Sequence, residues 1–216
     1  MIKIGPSIIS SDFSKLKENI KKAEKAKVDF LHVDIMDGIF VKNITFGPMV
    51  VEAISKMTYL PFHVHLMIIE PIRYIKEFSR IKNVELISFH YEATDKILET
   101  LKEIKKENKR AGLAINPESS FENIKKFLNK IDEILIMSVH PGFSGQKFLT
   151  YVLDKIEEIK NYKIQKKLNF EIAVDGGLNE ETIPLVIEKG AEILCIGSYF
   201  FKNKNSIKFL KKIKNA

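Results

Sequence analysis

The stretch LHVDIMDG, residues 31–38, combines the apolar pattern of a buried strand with one histidine and two aspartates. Successive side chains of a strand point to opposite faces, so the stretch separates into two sets. One face carries Leu31, Val33 and Ile35. The other face carries His32, Asp34 and Met36. Because a buried carboxylate is costly unless it is paired, hydrogen-bonded or bound to a cation, we expect the second face to surround a specific ligand.

Strand-like stretches alternate with longer amphipathic segments along the chain, which is typical of repeated βα units and a parallel sheet. In segments 13–26, 95–107 and 150–160 the apolar residues recur at helical spacing. In the first of these segments the apolar face is formed by Phe13, Leu16, Ile20 and Ala23. The eight strand candidates are KIGPSII (3–9), FLHVDIM (30–36), FHVHLMI (62–68), LISFHYE (86–92), RAGLAIN (110–116), EILIMSV (133–139), FEIAVDG (170–176) and EILCIGS (192–198).

Eight βα units in 216 residues have the size of a (β/α)8, or TIM, barrel. No linker or low-complexity stretch interrupts the alternation. We therefore predict an α/β fold in which a barrel with eight parallel strands forms a single domain over residues 1–216. An open doubly wound sheet is the alternative. Its dinucleotide-binding form carries a G-x-G-x-x-G turn after the first strand, whereas SSDFSKL at 10–16 has no glycine.

Composition argues against several classes of partner. The net charge of +7 comes mainly from lysine, since the only arginines are Arg73, Arg80 and Arg110. The lysines are spread over the helical segments as on a solvated surface, so we expect no nucleic-acid partner. No apolar run has membrane-spanning length and residues 1–10 lack a signal pattern, which predicts a soluble, cytoplasmic protein without a membrane partner. The single cysteine, Cys195, excludes an intrachain disulfide, and its apolar setting predicts a small buried residue rather than a nucleophile.

In a TIM barrel the active site lies at the C-terminal ends of the strands. The residues predicted there are Ser7, His32, Asp34, His65, His90, Asn116, Met137, Asp175 and Gly197. A single strand histidine is more often a hydrogen-bonded core residue than a ligand. Two imidazoles and two carboxylates at one barrel mouth, however, suit one divalent cation such as zinc, iron(II), manganese or cobalt. The candidate metal ligands are His32, Asp34, His65 and Asp175.

The stretch FHVHLM, residues 62–67, repeats the alternation of the opening stretch. Here His63 shares a face with the candidate ligand His65, and we interpret His63 as lying beside the ligands or at the rim of the site. Methionines also occur near three strand ends. They are either ordinary core residues or an apolar lining against a substrate. These lining candidates are Met36, Met67 and Met137.

Glycines cluster after the last three predicted strands, in PGFSGQ, DGG and GS. Each cluster alone is consistent with an ordinary turn. Together they favour an anion site, because glycine lets backbone amides approach a phosphate closely. TIM barrels often bind phosphate with the loops after strands seven and eight.

Several of the chain's motifs are similar to those of a known family. The chain resembles ribulose-phosphate 3-epimerases along essentially its whole length, in GPSIISSDF, LHVDIMDGIFVKNITFGP, VHLM, GLAINP, MSVHPGFSGQKF and VDGG. The resemblance implies that His32, Asp34, His65 and Asp175 bind the metal and that Asp34 and Asp175 are also the catalytic acid/base pair. It implies substrate contacts by Ser7 and His65. It further implies phosphate-binding segments that contain Gly142, Phe143, Ser144, Gly145, Gly176, Gly177, Gly197 and Ser198.

Two positions depart from the family pattern. The usual GFGGQ is GFSGQ here, so Ser144 bears on the flexibility of that loop. Two residues before the strand-three ligand, where an acid is common, this chain has His63. Neither departure falls on a candidate ligand.

The implied reaction inverts carbon 3 of D-ribulose 5-phosphate to give D-xylulose 5-phosphate, a step of the pentose phosphate pathway. It fits the residues, because two carboxylates on opposite faces can remove and return a proton, and a cation can stabilise an enediolate. The alternatives are epimerisation of a longer ketose phosphate such as allulose 6-phosphate, and a non-catalytic barrel that binds a phosphometabolite. A phosphosugar decarboxylase of similar shape would have a lysine at the position of Met36. We expect a small phosphosugar substrate and a homo-oligomer.

Overall fold

The computed structural model describes the backbone of residues 1–215 and the side chains of residues 1–214. Eight parallel strands form one sheet, in the order β1-β8-β7-β6-β5-β4-β3-β2. A parallel bridge between Ser7 and His32 joins the two outer strands, so the sheet curls into a barrel. The predicted (β/α)8 fold is confirmed. The strands are β1 (Lys3–Pro6), β2 (Leu31–Met36), β3 (Phe62–Met67), β4 (Val84–His90), β5 (Arg110–Ile115), β6 (Glu133–Met137), β7 (Glu171–Asp175) and β8 (Ile193–Ile196).

Helices connect successive strands and follow the last one. In the described part of the chain the α-helices are α1 (Leu16–Lys25), α2 (Pro48–Ser55), α3 (Ile75–Ser79), α4 (Ile97–Lys106), α5 (Phe121–Ile124), α6 (Val152–Lys166), α7 (Thr182–Lys189), α8 (Ser198–Lys202) and α9 (Ser206–Asn215). The segment predicted as one helix from residue 13 begins instead with a 3-10 turn, Phe13–Lys15. Phe13 is 44% exposed and lies near Phe46, so it does not belong to the buried face that Ile20 and Ala23 form.

The alternation predicted for the opening stretch separates two apolar layers. Leu31, Val33 and Ile35 lie in the large cluster between the barrel and the helices. A smaller cluster fills the barrel interior and consists of Phe30, Ala114, Leu135, Ala173, Ile193 and Cys195. Burial raises the pKa of the Cys195 thiol to about 12, so the thiol stays neutral and apolar at neutral pH. This inner apolar layer lies directly beneath the polar residues at the C-terminal ends of the strands.

Of the two positions predicted for His63, beside the ligands or at the rim, the structure supports the first, because His63 is in register with the candidate ligand His32. It is buried within the barrel, stacked on Phe30 with ring centroids 3.8 Å apart. Its Nδ1 lies 3.5 Å from the carboxylate of the buried Glu133. Because His63 precedes His65 by two residues, it sits nearer the N-terminal end of β3 and away from the mouth. The interpretation as a rim residue was therefore wrong.

None of the helices in the described residues is both long enough and apolar enough to cross a membrane.

Candidate functional site

Three strands bring the candidate ligands together at the C-terminal end of the barrel. Asp34 on β2 is in register with His65 on β3, and His32 precedes Asp34 by two residues on the same inward face. Asp175 is the last residue of β7. One potential ligand atom from each of these four residues lies within 4.8 Å of all the others. The convergence predicted from the sequence is therefore present.

Asp34 is the centre of this cluster. Its Oδ1 lies 3.0 Å from His65 Nδ1 and 3.1 Å from His32 Nε2. Its Oδ2 accepts a hydrogen bond of 2.5 Å from the Ser7 hydroxyl. Burial opposes ionisation of this carboxyl, but the imidazoles of His32 and His65 outweigh it and hold its pKa well below the usual range. Asp34 is therefore an ionised carboxylate in a buried position.

Asp175 is the more accessible carboxylate. Its side chain is 13% exposed, against 4% for Asp34. Its Oδ2 lies 3.6 Å from His32 Nε2 and 3.9 Å from His65 Nδ1. Asp175 therefore faces both the imidazoles and the cavity above them.

The donor set fits a divalent cation. Among the described residues, the buried Nε2 of His32 has no hydrogen-bond partner, although it lies close to two carboxylates. A buried nitrogen of this kind is costly unless something binds it. Two imidazole nitrogens and two carboxylate oxygens match the preferences of borderline first-row cations. The residues can therefore hold one such ion.

A cavity opens directly above the cluster. The three methionines predicted as lining, Met36, Met67 and Met137, contribute to its wall. So do the predicted substrate-contact residues Ser7, Gly142, Phe143, Ser144, Gly145, Gly176, Gly177, Gly197 and Ser198, together with Asp34 and Asp175. His32 and His65 lie beneath this wall and are almost fully buried.

At the β7 edge of the cavity, two positions have no room for a side chain larger than that of glycine. Gly177 has φ +64°, and a Cβ there would lie 2.6 Å from the backbone nitrogen of Phe148. Gly176 has φ +112°, and its Cβ would lie 2.4 Å from a Val139 methyl. A side chain at either position would displace the segment that follows β6. Glycine thus keeps the backbone of these loops close to the cavity.

The loop PGFSGQ, residues 141–146, covers one side of the cavity. Gly142 and Gly145 have φ of +126° and +81°, the left-handed region. Ser144 is not among the residues with positive φ, so serine fits there without backbone strain. The Asn43 side-chain amide donates a hydrogen bond of 2.7 Å to the Gly142 carbonyl, which ties the loop after β2 to this one.

Two features of the site were missed at the level of sequence. Ser10 lines the cavity, is 8% exposed, and its hydroxyl has no hydrogen-bond partner in the described residues. His90 was assigned only to a strand end, but its Nε2 lies 2.9 Å from His65 Nε2. Burial lowers the pKa of His90 to about 4, so this imidazole is neutral near pH 7.

Comparison with known proteins identifies the family. A model described as "Ribulose-phosphate 3 epimerase family" matches residues 3–201. The ribulose-phosphate 3-epimerase of Bacillus subtilis (strain 168) is 44% identical over 217 residues, covering 100% of both chains. The ribulose-phosphate 3-epimerase of Methanocaldococcus jannaschii is 39% identical over 216 residues, covering 100% of this chain and 91% of the relative.

Solved structures share the fold at much lower identity. KGPDC from Streptococcus mutans superposes with a TM-score of 0.71 at 14% identity, over 100% of this chain and 98% of that one. A mutant tryptophan synthase alpha-subunit from Pyrococcus furiosus gives 0.69 at 12% identity, over 98% of this chain and 94% of that one. At such identities the likeness concerns the fold alone.

Proposed function

Because this chain belongs to the ribulose-phosphate 3-epimerase family, we propose that it inverts carbon 3 of D-ribulose 5-phosphate and produces D-xylulose 5-phosphate. The observation that carries the proposal is the pair of carboxylates, Asp34 and Asp175, held among two histidines at the floor of the cavity. Inversion next to a ketone needs a group that takes a proton on one face and a second group that returns one on the other. Two carboxylates on different strands meet that need.

The substrate would lie with carbon 3 between the two aspartates. One carboxylate removes the proton from carbon 3, and the electron pair moves into the adjacent carbonyl to give an enediolate. The other aspartate, protonated at that moment, delivers its proton to the opposite face of carbon 3. Exchange with solvent then restores the starting protonation of the pair. Asp34 and Asp175 exchange roles in the reverse direction.

His32, Asp34, His65 and Asp175 would hold one divalent cation, and this ion would supply Lewis-acid stabilisation of the negative charge that develops on the substrate oxygens. Zinc, iron(II), manganese and cobalt all suit the donor set. The Ser7 hydroxyl orients the Asp34 carboxylate through its hydrogen bond. The three methionines exclude water from the reacting carbon, which strengthens these electrostatic interactions.

The glycine-rich edges of the cavity would bind the phosphate group. The backbone at residues 176–177 and 197–198 lines the cavity on one side, and residues 142–145 line it on another. Close approach of backbone amides to phosphate oxygens is what glycine permits. Phosphate binding at this edge, with the ligands at the floor, fixes the sugar in one orientation.

The proposal is tested by assaying the purified protein, prepared without chelators, on D-ribulose 5-phosphate and on D-allulose 6-phosphate, with its metal content measured in parallel. The expected result is rapid epimerisation of the pentulose phosphate and a metal content near one per chain. Preference for the hexulose phosphate, or binding of either compound without turnover, would contradict the proposal.

A further inference from the structure

A row of buried side chains runs from the candidate ligand His65 to an acidic residue outside the ligand set. His65 Nε2 lies 2.9 Å from His90 Nε2. The other nitrogen of His90, Nδ1, lies 3.2 Å from Glu92 Oε2. His65 and His90 are both 0% exposed, and their rings stack with centroids 5.0 Å apart. Phe40 packs against the far side of His90 at 4.8 Å, so neither ring can turn freely.

Glu92 is itself held in place. Its Oε1 accepts a hydrogen bond of 2.9 Å from the Asn116 backbone amide and another from the Ser119 hydroxyl. The remaining oxygen, Oε2, points to His90. Burial opposes ionisation of Glu92, but its interactions with His90, Ser119 and the Asn116 amide outweigh burial and lower its pKa. The row therefore ends in a fixed carboxylate, which only accepts hydrogen bonds.

A fixed acceptor at one end sets the position of every proton in the row. Glu92 accepts a hydrogen bond from His90 Nδ1–H, and an imidazole with its proton on Nδ1 presents the electron pair of Nε2 to His65. His90 Nε2 therefore accepts a hydrogen bond from His65, which must carry its proton at Nε2. The Nδ1 of His65 is left with its electron pair directed at Asp34 Oδ1, 3.0 Å away. Two acceptor atoms repel one another at that distance unless they bind the same cation.

We propose that His90 and Glu92 are positioning residues, which fix the tautomer and the ring orientation of His65 so that its Nδ1 is available to the metal ion. The inference deepens the proposed function, since it rests on His65 being a metal ligand. It does not depend on which sugar phosphate binds. Neither His90 nor Glu92 contacts the ion or the substrate in this scheme.

The chain provides a matched control. His63 and Glu133 form a second buried pair of a histidine and a glutamate in the same barrel, with Nδ1 and Oε2 3.5 Å apart. His63 is the register partner of His32, but among the described residues no hydrogen bond joins His63 or Glu133 to a candidate ligand or to the row. Substitutions of equal size can therefore be compared between the two pairs, and the control glutamate is the more deeply buried of the two, with 3% of its side chain exposed against 22% for Glu92.

The first experiment measures the affinity of the full chain for Zn²⁺ by competition with a chromophoric chelator. His90→Phe and Glu92→Gln are expected to lower the affinity about 10- to 100-fold, the usual effect of losing the partner of a metal-bound histidine. His63→Phe and Glu133→Gln are expected to leave it within about threefold, because they do not touch the row. Equal effects from the two pairs, or wild-type affinity in both row variants, would overturn the inference.

The second experiment needs no variant and remains decisive if His90→Phe fails to fold. Long-range proton–nitrogen correlation spectra of the Zn²⁺-loaded protein, labelled with ¹⁵N-histidine, report which nitrogen of each ring is protonated. The expected tautomers are Nε2–H for His65 and Nδ1–H for His90. A proton on His90 Nε2 would overturn the inference. Neither readout involves substrate. An absence of epimerase activity would therefore refute the proposed reaction, whereas the Zn²⁺ affinities and the tautomers alone decide the role of His90 and Glu92.

Discussion

Replacing Asp175 with asparagine tests whether two carboxylates share the proton transfer. The change keeps the size of the side chain and removes one proton acceptor. Asp175 lies 3.6 Å from His32 Nε2 and 3.9 Å from His65 Nδ1, and it is the more exposed of the two aspartates. In the proposed reaction no other carboxylate replaces it, because Asp34 is held by a hydrogen bond from Ser7 and lies against His65.

The expected loss of rate follows from the role of Asp175 as a general acid/base. Loss of a general acid/base lowers a rate about 10²- to 10⁴-fold, which corresponds to about 3–5 kcal/mol in the barrier. Since Asp175 also belongs to the candidate ligand set, its loss should slow the reaction by at least the smaller of these two rate factors. We expect Asp175→Asn to reduce net epimerisation at least about 100-fold. Asp154→Asn, in the first turn of α6 and outside the site, should have no effect on the rate.

The assay combines a rate with an isotope measurement. In deuterated water, Asp175→Asn should still let Asp34 exchange the carbon 3 proton of one epimer, so that deuterium enters that epimer without inversion. Asp34→Asn should exchange the other epimer, if the variant still holds its metal. Metal content must be measured alongside, because a variant that has lost its ion is inactive for a different reason. A metal-replete Asp175→Asn protein that interconverts the epimers within about tenfold of the wild-type rate would refute the two-carboxylate mechanism.

Three further outcomes are expected. His65→Ala should lose metal affinity and activity together, and full activity of this variant after exhaustive chelation would contradict the metal site. Amide hydrogen exchange in residues 141–146 should slow when an unreactive substrate analogue binds, if the loop closes over phosphate; unchanged exchange there, with protection elsewhere in the site, would exclude closure. The Glu171 carboxylate bonds Lys3 at 2.7 Å and Arg110 at 2.5 Å, and these cations lower its pKa against the effect of burial. Its stabilising contribution, about 1 kcal/mol for a partly exposed pair, is therefore present at neutral pH and lost as the pH falls through the lowered pKa. Glu171→Gln should accordingly melt about 2–4 °C below wild type at pH 7, and this difference should shrink as the pH falls through the lowered pKa of Glu171; a difference that stays constant with pH would show that charge is not the cause.

The strands and their inward faces were predictable because hydrophobic alternation is a local signal. His32 and Asp34 face into the barrel for the same reason that Leu31 and Val33 face the helices. Once the parallel barrel is assumed, its geometry brings the ends of β2, β3 and β7 together. The ligand cluster therefore followed from alternation and fold class together.

The contact between His65 and His90 was not predictable from alternation alone. The pairing of β3 with β4 shifts register between Phe62 and His63, so that Glu85 is exposed and Leu86 pairs with His63. Such a shift moves every later residue of the strand to the other face. The inward face of His90 follows from its alternation with Ile87 and Phe89, but its contact with His65 depends on this pairing of β3 with β4, which no local pattern in the sequence marks.

Short turns account for other differences. The first strand candidate extended to Ile9, but β1 ends at Pro6 and residues Ile8–Ser10 form a 3-10 turn. That turn buries Ser10 beside Gly197, where a Cβ would lie 2.6 Å from the Ser10 hydroxyl. The position of Ser10 depends on packing between the first and last βα units, which are distant in sequence.

The most direct test of the central claim is to incubate the metal-loaded wild-type protein with D-ribulose 5-phosphate in deuterated water and to follow both epimers by NMR. The proposed function predicts D-xylulose 5-phosphate with solvent deuterium at carbon 3, and a large loss of rate when the metal is removed. Recovery of the unchanged substrate, with its proton still on carbon 3 and a full complement of metal in the protein, would contradict it.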